Sequence, residues 1–241
     1  MNMPDMPGMA GGGAEMAGGE HPEQESGVRF SGQEWSIFNH RGAGLFLLLW
    51  GATALIAGWQ WPRKTWWRFV PPVVLFGLVE FLVIRNDPEA WPVGPIGLWS
   101  SLRDREVFQH RVFVLLLLAI AIVELLRACD KLPRFLEVYS LPALAVAGGV
   151  YLFFHQHGGA AMAQMMQHMS DASASSAPGM KSMMDSMALV KHEHMWFSIS
   201  GFGLAAAKLL ADAGRLKGRL GAILWTPFAI ALGVYMLGYL E

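Results

Sequence analysis

A chain of 241 residues with 54% apolar side chains, 15% charged ones and a mean hydropathy of +0.35 is too apolar for an ordinary soluble domain and falls among membrane proteins. Its net charge of −1 argues against a nucleic-acid partner, since neutralising phosphates takes a basic face. The single cysteine, Cys129, rules out an internal disulfide and reads as a small residue at a helix end.

Residues 1–34 are rich in glycine, proline and acidic side chains without a sustained apolar period, which predicts a flexible tail. They carry an MxxMxxM run, Met3, Met6 and Met9, followed by Met16 and His21, and no pattern of a removable signal peptide. Six apolar stretches follow, at 43–61, 67–84, 108–126, 135–155, 188–211 and 221–240. Each approaches the roughly 20 residues that a helix needs to cross hydrocarbon. The expected fold is all-α, a polytopic bundle of about six transmembrane helices formed by residues 35–241.

His40 precedes the first span, and Glu80 lies deep in the second, within LFGLVEFLVI. An ionisable group at that depth is costly, which makes Glu80 the candidate for an ion or proton step, against a plain interhelical hydrogen bond. The connection to the third span has Pro-rich turns and a short amphipathic piece around 96–102, expected to lie on the membrane surface. His110 opens the third span, whose far end holds Glu124 and Arg127, while Glu137 starts the fourth. Pairing or snorkelling accounts for these three.

His155 and His157 close the fourth span, and His192 and His194 open the fifth. The loop between them, 158–191, repeats a stripe at spacing i, i+3, i+4, i+7: Met162, Met165, Met166 and Met169, then Met180, Met183, Met184 and Met187. Met195 follows directly after His194. Folded as a hairpin, the loop would set sulfur against sulfur.

Arg63, Lys64, Arg68, Arg127, Lys131, Arg134, Lys208, Arg215, Lys217 and Arg219 crowd three short connections. By the positive-inside rule these are cytoplasmic, so both termini and the Met/His-rich loop face outward. All eight histidines and fourteen of the fifteen methionines then share one aqueous side.

Thioethers suit Cu(I) and bind Zn(II), Mg(II) or Ca(II) poorly, whereas neutral imidazole accepts copper, zinc or haem iron. Methionine stripes are ordinarily adaptable packing surfaces. Here the flanks lack the Leu, Ile, Val and Phe of such surfaces, and the tail shares the enrichment with no face to pack. On a regular helix His192 and His194 diverge, so the expectation that both ligate requires a frayed helix end. Walker, dinucleotide-binding, Ser-His-Asp and HExxH patterns are missing, and no enzymatic role is expected.

The segments FNHRGAGLFLLLWGATAL, WPVGP, EVFQHRVF, LFFHQHGG and KHEHMWFSISGFG together resemble bacterial copper-resistance membrane proteins of the CopD type, over about residues 35–241. The resemblance implies a bacterial inner-membrane protein handling copper from the periplasm, paired with a periplasmic copper carrier. It departs from that family in having fewer spans and in its Met-rich tail and loop. The sequence therefore points to a copper-binding membrane protein, with a b-type haem electron-transfer subunit clamped by two of His40, His110, His155 and His192, or a non-catalytic subunit of a membrane complex, as alternatives.

Overall fold

The computed structural model describes residues 32–60, 65–85, 89–154, 177–216 and 218–240. Among them the chain is helical, with no strand. Residues 43–60 of the first predicted span lie within α1 (Gly32–Gln60). The second is a 3₁₀ turn (Thr65–Phe69) running into α2 (Val70–Arg85). The surface piece shortens to α3 (Leu98–Ser101).

The third span lies in α4 (Arg105–Ala128), whose start is set by Asp104: its carboxylate accepts from the amides of Glu106 (2.8 Å) and Val107 (3.0 Å), satisfying donors that a helix start leaves open. After α4 the chain turns through Asp130 in the left-handed region (φ 56°), which aspartate tolerates better than most residues. Pro133 then precedes α5 (Arg134–Phe153). The fifth span lies in α6 (Ala177–Asp212), which starts eleven residues before the predicted span at 188, and Gly214 (φ 73°) ends the turn that follows it. Two shorter helices, α7 (Gly218–Ile223) and α8 (Thr226–Leu237), make up the sixth.

Four of these segments are long and apolar enough to cross a membrane: Glu34–Trp59, Trp66–Arg85, Arg134–Phe153 and Gly218–Leu237. The packing order is α1, α2, α4, α5, α6, α8 and back to α1, a closed ring of six helices. Contacts at their ends show alternating directions. Arg111 near the start of α4 meets Val83 near the end of α2, and Arg127 at the end of α4 meets Asp212 at the end of α6.

Inside the ring, Leu47, Trp50, Leu75, Leu78, Ala121, Leu141, Trp225 and Ala229 form an apolar core, with the Trp50 and Trp225 rings 5.2 Å apart. The perimeter is apolar as well: Val73 and Leu115 are 64% and 63% exposed. That inversion of the soluble pattern fits a lipid surround. Gly44, Gly51 and Gly233 let α1 and α8 touch backbone to backbone, the small-residue contact that membrane helices use in place of a hydrophobic driving force.

Candidate functional site

The ring of helices gathers imidazoles from three of them at one end. His40 on α1 has its ring centroid 6.4 Å from that of His110 on α4 and 6.2 Å from that of His194 on α6. Tyr239, fully buried just beyond α8, stacks on His40 at 3.9 Å with the planes 17° apart, and its ring lies 6.4 Å from that of His194. The spacing comes from α1, α4 and α6 running in one direction, so that residues far apart in the chain reach one depth.

Hydrogen bonds orient two of the rings. His40 Nδ1 lies 2.9 Å from the Ser36 carbonyl and His194 Nδ1 lies 2.7 Å from the Val190 carbonyl. A carbonyl only accepts, so Nδ1 is the donor in both rings. This one-turn-back tether is the arrangement by which a backbone carbonyl orients a metal-binding histidine.

The surroundings hold the layer in place. The Arg41 guanidinium donates to the Tyr239 carbonyl (3.4 Å) and Glu193 Oε1 accepts from the Leu240 amide (3.2 Å), so both tether the C-terminal segment. Buried Gln109 donates to the Phe154 carbonyl (3.2 Å), linking α4 to the end of α5. Arg111 donates to the Val83 carbonyl (3.0 Å) and to that of Trp91. Arg85 lies over the rings of Trp35 (5.5 Å) and Phe38 (5.8 Å).

Of the predicted ligands, the structure brings together His40, His110 and His194. His192 is not among them. The pair 192/194 sits well inside the unbroken α6, where residues two apart point some 200° from each other. His194 is buried and His192 exposed, its Nε2 accepting from the Trp196 indole at 3.1 Å. The frayed end that would turn both inward does not occur at this position. Met195 is also exposed, and Met180, Met183, Met184 and Met187 fall on the first turns of α6. Met3, Met6, Met9, Met162, Met165, Met166, Met169, His155 and His157 lie outside the described residues.

Glu80 is on the outward face of α2, opposite the buried Leu75 and Leu78. An ion moving through the interior of the ring would not meet it. Sequence reasoning missed Tyr239, which had no partner signal in the chain. It also passed over the paired segments FNHR (38–41) and FQHR (108–111), in which buried Asn39 and Gln109 each precede a clustered histidine.

Three imidazoles and a tyrosine form a donor set that suits copper. Two imidazoles on one ion have ring centroids about 5 to 6 Å apart, given metal–nitrogen bonds of about 2.0 Å. The observed 6.2 and 6.4 Å are slightly wider, and among the described residues no three His, Cys, Asp or Glu stand where they would hold one ion without ring movement.

The other end of the bundle is ionic. Asp212 receives Arg127 (2.9 Å) and Lys208 (2.8 Å), Arg127 also lies 3.4 Å from Glu124, Arg134 pairs with Glu137 (2.9 Å) and Arg68 with Asp130 (2.7 Å). Two of the cations, Arg127 and Lys208, are largely buried, with side chains 17% and 7% exposed. The imidazoles thus gather at one end and this ion-pair network at the other.

Against known proteins, no family model, no curated protein and no solved structure matches the chain.

Proposed function

We propose that this chain is a copper-binding integral membrane protein of the bacterial inner membrane that takes up Cu(I) at its histidine end, facing the periplasm. The methionines of the tail and of the 158–191 loop collect the ion, and the cluster of His40, His110 and His194 receives it. The supporting observation is the convergence of three imidazoles from three helices, two of them with Nδ1 tied to a carbonyl one turn back. Six transmembrane crossings, with both termini outside, complete this reading. A periplasmic copper carrier or a larger membrane complex is the partner it implies.

Below the cluster the ring is filled mainly by Leu47, Trp50, Leu75, Leu78 and Ala121, with the small hydroxyls of Ser198, Ser200 and Thr226 buried as well. That filling favours capture and hand-over at one face over conduction.

Metal analysis of detergent-purified protein loaded with Cu(I) tests the reading. The triple variant His40→Ala, His110→Ala, His194→Ala is expected to lose the stoichiometric copper that remains after washing, and His192→Ala to keep it. Full retention by the triple variant would refute the site. A visible spectrum of the same preparation separates copper from haem b, because a Soret band lost in the triple variant would assign the imidazoles to iron instead.

A further inference from the structure

A phenol can serve as a metal donor, yet the oxygen of the fully buried Tyr239 is poorly placed to share an ion with His40. The two rings are stacked, with centroids 3.9 Å and planes 17° apart. An ion on a ring nitrogen of His40 lies in the plane of that imidazole, at a bond length of about 2.0 Å. Atoms of stacked rings keep about 3.5–4.0 Å between them, so a nearly parallel phenol holds its oxygen out of that plane. A bond from it to such an ion would require the stack to open.

The ring instead braces its neighbours. His40 is fixed at one edge by Nδ1 donating to the Ser36 carbonyl and on one face by Tyr239. His194 is fixed by Nδ1 donating to the Val190 carbonyl, by Phe197 at 5.5 Å, and by Tyr239, which meets it edge to face at 6.4 Å with planes 86° apart. The segment carrying Tyr239 is pinned beside both imidazoles. Arg41, next to His40, donates to the Tyr239 carbonyl, and Glu193, next to His194, accepts from the Leu240 amide. We infer that Tyr239 is the positioning residue of the cluster, its aromatic ring orienting His40 and His194 for an ion that its hydroxyl does not bind. For the ion the inference rests on the copper reading, whereas the bracing of the two imidazoles stands on the ring geometry alone.

Two variants of the full chain in detergent separate the roles. Tyr239→Phe keeps the aromatic face and loses the hydroxyl, and Tyr239→Leu keeps apolar bulk and loses the face. In competition with bicinchoninate for Cu(I), Tyr239→Phe is expected to stay within about twofold of the unsubstituted affinity and Tyr239→Leu to bind about tenfold more weakly, as when a group that orients a ligating histidine is lost. The metal-free readout is acylation of histidines by diethyl pyrocarbonate, mapped by mass spectrometry. Tyr239→Leu should speed the modification of His40 and His194 about fivefold, the worth of one aromatic pair, while the exposed His192 keeps its rate and Tyr239→Phe changes none of the three. Affinity falling as far in Tyr239→Phe as in Tyr239→Leu would make the hydroxyl a ligand and overturn the inference, and a loss in Tyr239→Phe decides this even where Tyr239→Leu does not fold. Unchanged affinity or unchanged acylation in Tyr239→Leu, or equal acceleration at His192, would overturn it as well. Absence of Cu(I) binding by the unsubstituted chain would sink the copper reading instead, and the acylation rates then decide the bracing by themselves.

Discussion

Alanine at Gly233 would test the contact that ties α8, and with it Tyr239, to α1. A Cβ there would lie 2.5 Å from the Leu48 nitrogen, 2.8 Å from the Gly44 oxygen and 2.9 Å from Leu48 Cα, all backbone atoms that no rotamer change can move. Reaching the 3.4 Å at which ordinary contact begins requires the two helices to part by about 0.9 Å. Overpacking of this kind costs about 1–3 kcal/mol, and the gain in helix propensity from glycine to alanine returns about 1 kcal/mol, leaving up to about 2 kcal/mol of destabilisation. At about 2 kcal/mol a chain of this size loses about 4–8 °C in Tm.

Gly148 on α5 is the matched control, because a Cβ there meets nothing within 4 Å. Gly148→Ala should keep or raise Tm by about 2 °C through propensity alone. Thermal unfolding in detergent, followed by tryptophan fluorescence, reads both. A Gly233→Ala protein melting at or above the unsubstituted one, or a Gly148→Ala protein falling as far, would show that the α1–α8 backbone contact is not what fixes this packing.

Asp212→Asn leaves the largely buried Arg127 and Lys208 without their shared carboxylate, and removing one partner of a buried ion pair costs about 3–5 kcal/mol. The expected result is a shift from the monodisperse peak to the void volume on size-exclusion chromatography in detergent. A normal elution profile would argue that the network is solvated. Arg111→Met releases the carbonyls of Val83 and Trp91, so amide exchange should speed up across residues 91–97 while the α5 amides keep their protection. The single variants His192→Ala and His194→Ala should differ in retained copper, the first near the unsubstituted value and the second reduced. Equal loss in both would place the ligand on the exposed side of α6.

Much of the fold was legible because hydrocarbon imposes a length rule on each apolar run. Helices cover most of the six predicted runs, four of which lie in segments long and apolar enough to cross a membrane, and the described basic residues Arg68, Arg127, Arg134 and Lys208 sit at the ionic end. The histidine layer was legible in part: His40 and His110 each stand where an apolar run begins, which puts them at one depth. The split between His192 and His194 was not, because it depends on where α6 begins. The composition of 177–187 carries little apolar signal, and a start near 188 would have put both histidines at a fraying end. Tyr239 was illegible for another reason. Its position beside His40 results from Gly44 and Gly233 drawing α8 against α1, a tertiary contact with no local pattern. Glu80 showed its unusual depth but not its direction, which is set by the packing of α2 against both α1 and α4.

The 36 residues of α6 join two chemistries on one rigid element. From Ala177 to His194 is about 25 Å of continuous helix, so the turns bearing Met180 to Met187 stand as a mast above the imidazoles, with no hinge among them. One residue inserted between Met187 and His194 would twist that mast by about 100° relative to the bundle.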